Sequence, residues 1–219
     1  MASLKHQSAL RLCHALLGAA LVLVTGNGFA HGTVSHDESQ TRPVAASAPA
    51  PSADVTLHDA ALVNQDGETM KFASEVMGDK LVALTFFYTS CKTICPVTSV
   101  IFSQIQDRLG DRLGDEVRLV SVTVDPITDT PARLEAYAAK FKPKPGWIWL
   151  TGDKQSVDRV LEGLGAYAAD YTQHPLVVLV GDPASGRWSR LFGFPSPDDI
   201  VARLDALKVA RIQARLAAP

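Results

Sequence analysis

Leu81-Val82-Ala83-Leu84-Thr85-Phe86-Phe87-Tyr88-Thr89-Ser90-Cys91-Lys92-Thr93-Ile94-Cys95-Pro96 is the stretch from which the rest of the chain is read. Its first eight residues are almost all apolar or β-branched, with no alternation, which predicts a strand covered on both faces and central to its sheet. The period then changes. Over residues 96–109 apolar groups fall at Val97, Val100, Ile101, Ile105 and Leu109, a helical spacing, with Pro96 suited to the first turn. Cys91 and Cys95 therefore stand where a central strand ends and a helix begins, at the carboxyl edge where open α/β sheets place their sites.

Working outward, residues 117–124 read as a second buried strand, followed by a turn at Asp125-Pro126 and a helix opening with Thr130 as N-cap and Pro131 at its first position. A third core strand is expected over 147–150 and a helix over 154–164. Residues 176–180 and 187–192 flank Gly181-Asp182-Pro183-Ala184-Ser185-Gly186, a hairpin with turn chemistry between its arms. Residues 198–216 close the chain as an amphipathic helix. Upstream, 55–58 and 69–72 read as two short strands flanking the turn Asn64-Gln65-Asp66-Gly67. Strand–helix–strand units followed by a hairpin and a helix imply an α/β sandwich of the thioredoxin-like kind, a central mixed sheet flanked by helices. There is no internal repeat.

The 219 residues carry a formal charge of −2 and are 47% apolar, a balance that argues against nucleic-acid binding and global disorder. One domain is expected, over residues 55–219. The first thirty residues differ in kind. Lys5 and Arg11 precede an apolar run over 15–24, and Gly28 and Ala30 supply small residues at the cleavage positions, the order of a secretory signal. An apolar run this short falls below the roughly 20 residues a membrane span needs. Export to the periplasm is expected, with cleavage after Ala30 removing Cys13; contact with a membrane would come through this segment only if it stayed uncut. Residues 31–54, rich in Ala, Pro and Ser, are expected to be a flexible linker.

A four-residue spacing places Cys91 and Cys95 on one side of a helical turn, with Cα atoms about 6 Å apart. Such a pair can close a disulfide or share one metal ion. The helix N-terminus favours thiolate, and Lys92 adds positive charge. A purely stabilising disulfide would gain little, because closing so short a loop is worth only about 2 kcal/mol. His174, in the loop before residues 176–180, is expected beside the cysteine loop in a thioredoxin-like topology. Two thiolates and an imidazole suit Cu(I), and with an added oxygen ligand Cu(II). Zinc competes, but structural zinc usually takes four protein ligands, and no fourth Cys or His is delivered by local order.

Four segments together carry a resemblance: Phe87-Tyr88-Thr89-Ser90-Cys91 through Cys95-Pro96, Asp125-Pro126-Ile127-Thr128-Asp129-Thr130-Pro131, Leu150-Thr151-Gly152, and Asp170-Tyr171-Thr172-Gln173-His174. In order and spacing, residues 63 to about 200 resemble the Sco/SenC family of copper proteins, which assist cytochrome c oxidase assembly. The resemblance implies that Cys91, Cys95 and His174 bind copper. It further implies a non-enzymatic metallochaperone that delivers copper to the binuclear centre of the oxidase's copper subunit. In an oxidising compartment a thioredoxin-like reductant would restore the dithiol. The alternatives are a thiol-disulfide oxidoreductase, with Cys91 and Cys95 as its redox pair, and a redox or copper sensor. One departure is Pro175, standing where the family tends to have a hydroxyl residue; it confines His174 to extended backbone and permits a cis bond. Residues 125–131 are read as a strand-ending turn and helix cap, Asp170 as a solvated loop carboxylate, and His31 and His36 as solvated tail residues. His58 is placed on a strand face, and Phe86, Trp147 and Trp149 in the core.

Overall fold

The computed structural model describes residues 52–217, and the expected export signal (1–30) and most of the expected linker (31–51) lie outside them. In chain order the strands are β1 (Ala61–Asn64), β2 (Thr69–Lys71), β3 (Leu81–Phe87), β4 (Val117–Thr123), β5 (Trp147–Thr151), β6 (Val177–Asp182) and β7 (Arg187–Phe192). The helices are α1 (Ile94–Leu109), α2 (Pro131–Ala138), α3 (Lys154–Gly163) and α4 (Pro197–Leu216). The strands form a seven-stranded sheet in the order β2-β1-β5-β4-β3-β6-β7. β3, β4 and β5 run parallel, whereas β6 lies antiparallel to β3 and β7 antiparallel to β6.

Every residue of β3 is buried, as its unbroken apolar run requires. Alternate side chains serve opposite faces. Leu81, Ala83 and Phe87 join Phe102 and Ile105 of α1, Leu134 and Tyr137 of α2, and Ile200 and Leu204 of α4. Val82, Leu84 and Phe86 join Val157, Val160 and Leu161 of α3 and the π-helical turn Phe72–Met77. Three helices thus cover one face, and one helix with the π-helical turn covers the other. Phe86, Trp147 and Trp149 are core residues as expected. Thr130 caps α2, its hydroxyl accepting from the Arg133 N–H, and Pro131 occupies the first turn.

The amino-terminal hairpin differs from expectation. Its first arm is Ala61–Asn64, in register with Thr69–Lys71, and residues 55–58 form no strand. The Asn64 side chain explains the tighter hairpin, because its Oδ1 accepts the N–H groups of Asp66 and Glu68 and so closes the turn directly after β1. Residues 55–57 instead lie against α3, where the Thr56 N–H reaches the Gly163 carbonyl at 2.8 Å. A Cβ on Gly163 would stand 2.2 Å from the Thr56 carbonyl oxygen, so only glycine admits this close approach. His58 accordingly lies off any strand. Ser52 bridges to Ser189 and the Ala53 N–H donates to the Trp188 carbonyl, so the chain already pairs with β7 before residue 55. The π-helical turn Phe72–Met77, which buries Phe72, Val76 and Met77, had no periodic signal long enough to reveal it. Among the described residues no helix is long and apolar enough to cross a membrane.

Candidate metal centre

β3 delivers the chain to the carboxyl edge at Phe87, and a turn follows in which the Cys91 N–H donates to the Tyr88 carbonyl at 3.1 Å. α1 opens at Ile94, two residues before Pro96, and Thr93 gives it no side-chain cap. The cap is sulfur: the Cys95 N–H donates to Cys91 Sγ at 3.3 Å. Both cysteines are free thiols and largely buried, 6% and 2% exposed. Phe87, Tyr137 and Trp149 belong to the same buried cluster, with Phe87 stacked on Tyr137 at 5.4 Å and edge-on to Trp149 at 4.8 Å. Each such pair adds about 0.5–1.5 kcal/mol beyond area burial, which gives the dithiol a rigid floor.

The two thiols are driven apart in acidity. Burial works to raise the Cys91 pKa, but the hydrogen bonds it accepts outweigh burial and leave it lowered. They come from the Cys95 thiol, the Cys95 and Thr93 N–H groups and the Tyr88 hydroxyl. Burial pushes the Cys95 thiol up, and its bond to Cys91 pushes it further. Cys91 is therefore the more acidic sulfur of the pair, and Cys95 holds its proton more tightly. These leading causes lie within the turn and its neighbour Tyr88, not in the charge of the exposed Lys92.

His174 ends the single helical turn Tyr171–Gln173, which Asp170 caps by accepting the Thr172 N–H at 3.0 Å and hydroxyl at 2.7 Å. Asp170 is an exposed loop carboxylate, as expected, and it also serves as the cap of this turn. His174 has extended backbone, φ −58° and ψ 146°, as a residue before proline must, and the peptide bonds of the described residues are all trans. Its Nδ1 lies 3.2 Å from the Pro175 carbonyl oxygen, which can only accept, so Nδ1 carries the proton. Nε2 then holds a lone pair, and it is buried with no hydrogen-bond partner. Burial lowers the His174 pKa and keeps the ring neutral. A neutral imidazole with an unused Nε2 lone pair has the donor chemistry that soft metals accept alongside sulfur.

Cys91 and Cys95 are together, but His174 does not complete a cluster with them. Among the described residues no three His, Cys, Asp or Glu side chains are gathered closely enough to hold an ion. Tyr88 links the parts: its hydroxyl and the Cys91 thiol shift each other's acidity, and its ring meets His174 edge-on, at 6.1 Å between centroids. Tyr171 packs edge-on against the same ring at 5.1 Å. Sequence reasoning passed over Tyr88 as the last residue of an apolar strand, though its place three residues before Cys91 was the available signal.

A mixed sheet with a parallel centre, a terminal antiparallel hairpin and a dithiol at a helix N-terminus defines a thioredoxin-like dithiol protein. The sequence model of the SCO1/SenC family matches residues 50–202, and the chain belongs to that family. A SCO2-like protein of Rickettsia conorii is 33% identical over 111 residues, covering 51% of this chain and 52% of the relative. The chain spans about half the length of the curated relatives it matches. The copper-bound structure of Bradyrhizobium japonicum ScoI is 26% identical with a TM-score of 0.57, covering 67% of this chain and 96% of that one. BsSco, a member of the Sco family of cytochrome c oxidase assembly proteins studied for a disulfide switch, is 24% identical. Its TM-score is 0.59, and the match covers 71% of this chain and 94% of BsSco.

Proposed function

We propose that this protein is an exported copper metallochaperone. Copper is its cargo, held by Cys91, Cys95 and the Nε2 of His174 and passed to a partner, the binuclear copper site of cytochrome c oxidase. One observation carries the reading: a buried pair of free cysteines sits one tyrosine away from a buried imidazole whose Nε2 has no partner. Family membership and the copper held by Bradyrhizobium ScoI support it. Loading requires the Cys95 proton to leave and the His174 loop to close past Tyr88. Cu(I) fits the two sulfurs and imidazole, and Cu(II) would need a further oxygen ligand. After release in the periplasm the pair can exchange with an oxidised disulfide partner, which takes two electrons and two protons as Cys91 and Cys95 close their own disulfide. A thioredoxin-like dithiol then returns two electrons and becomes a disulfide itself.

The unequal acidity of Cys91 and Cys95 favours a second reading, thiol-disulfide exchange on the partner's own metal-binding cysteines, since one sulfur is poised to attack and the other to resolve. Copper titration of the reduced full-length protein, alongside turnover on a disulfide substrate, separates the two. The chaperone reading expects Cys95→Ala to abolish tight binding and His174→Ala to weaken it by more than about tenfold, with no turnover in any form. Unchanged copper retention in Cys95→Ala, or turnover indifferent to His174, would overturn it.

A further inference from the structure

Asp129 is fully buried, at 0% exposure, in one of the four segments that carry the family resemblance, where the residues themselves read as a turn and helix cap. Every polar group aimed at its carboxylate is a donor. Oδ1 accepts the Thr89 hydroxyl at 2.5 Å, and the Thr89 N–H lies 3.2 Å from Oδ1 and 3.1 Å from Oδ2. Oδ2 also accepts the Thr123 hydroxyl at 2.6 Å. The Thr123 oxygen itself accepts the Asp125 N–H at 3.0 Å, which commits its proton to Asp129. The Asp129 carbonyl accepts the Thr151 hydroxyl at 2.6 Å. Thr89 follows β3, Thr123 ends β4 and Thr151 ends β5, so one residue gathers the carboxyl ends of the three parallel strands. Two acceptor oxygens suit a buried position ringed by donors, whereas an amide would turn an N–H toward one of them.

Thr89 stands two residues before Cys91. Within the turn the hydrogen bonds are internal, from the Cys91 N–H to Tyr88 and from the Cys95 N–H to Cys91 Sγ. The bonds from Thr89 to Asp129 reach across forty residues of sequence and fix the turn to the sheet. We infer that Asp129 is a positioning residue of the dithiol site: through Thr89 it sets where the Cys91 sulfur lies relative to Cys95. Its oxygens are inaccessible and already hydrogen-bonded, so it does not serve as an oxygen ligand. The inference rests on the copper-site reading for its role in metal binding, but its effect on the sulfur pair stands apart from copper.

The test uses the full-length protein carrying Asp129→Asn, Thr89→Val or Thr89→Ser. Cu(I) affinity is read by competition with a chromophoric chelator, the Cys91–Cys95 equilibrium by exchange with glutathione, and folding by circular dichroism. Asp129→Asn and Thr89→Val are expected to weaken Cu(I) binding by about tenfold or more while remaining folded, and Thr89→Ser to stay within about twofold of wild type. The thiol-disulfide equilibrium constant is expected to move about tenfold, or about 30 mV. Folded variants that keep wild-type copper affinity and wild-type exchange, having lost only thermal stability, would overturn the inference. If Asp129→Asn does not fold, Thr89→Val decides, since it removes a single hydroxyl. If the wild type takes up no copper, the chaperone reading fails on its own, and the glutathione equilibrium alone decides for or against Asp129.

Discussion

Arg211→Ala isolates the ion pair that anchors the last turns of α4 to the sheet. The Arg211 guanidinium forks onto Asp182 at the end of β6, with Nε 3.2 Å from Oδ2 and a terminal nitrogen against Oδ1, and its other terminal nitrogen reaches the Asp79 carbonyl at 2.7 Å. The Asp182 side chain is wholly buried, while that of Arg211 is 20% exposed. Removing the arginine leaves a buried carboxylate held only by the Ala184 and Ser185 N–H groups, a loss of about 3 kcal/mol at neutral pH. The pH dependence supplies the sharper test. Burial works to raise the Asp182 pKa, but the bonds from Arg211 and Ser185 outweigh it and hold it below the ordinary 3.8. A depressed carboxylate contributes stability that is fully present above its unfolded pKa and is lost as pH falls through the folded one. In Arg211→Ala the depressing partner is gone and burial prevails. The stability gap between wild type and variant is therefore widest near pH 7; it begins to close on acidification as pH falls through the variant's raised carboxyl and finishes closing below the wild type's depressed one. Urea unfolding followed by tryptophan fluorescence at a series of pH values measures it. A gap below about 1 kcal/mol, or one that does not change with pH, would refute the reasoning.

At neutral pH a limiting amount of iodoacetamide is expected to alkylate Cys91 ahead of Cys95 in the reduced protein, read by peptide mass spectrometry; equal labelling would contradict the order of acidity. Tyr88→Phe, which removes the hydroxyl near Cys91, should slow that alkylation, and an unchanged rate would show the hydroxyl to be idle. Gly163→Ala should cost about 1–3 kcal/mol in thermal or chemical unfolding, because its Cβ would meet the Thr56 carbonyl at 2.2 Å; a neutral effect would mean that residues 55–57 yield freely.

The parallel core was legible because continuous apolar runs such as Leu81–Phe87 and Val117–Thr123 have few other stable fates. The terminal hairpin and α4 followed from turn chemistry and helical spacing. Residues 55–58 were misread since their alternation fits a strand as well as a covering segment, and the choice lay in the Asn64 side chain and in Gly163, far away in sequence. Within the site, Cys91 and Cys95 were visible as a local pattern on a predicted strand–helix junction. The topology put His174 near them, but no spacing rule could say that Tyr88 would lie against both Cys91 and the imidazole. Asp129 escaped for a similar reason. Turn and cap chemistry accounts for residues 125–131 locally, and only the convergence of three strand ends on Asp129 shows its wider part.

The sulfur of Cys91 fills the position that a serine or aspartate oxygen holds at most helix starts, receiving the Cys95 N–H. Whatever electrophile claims those lone pairs, whether a metal or a second sulfur, competes with the amide for them. The first turn of α1 therefore registers the state of the pair, and amide exchange at Cys95 becomes a reporter of whether the site is full, oxidised or waiting.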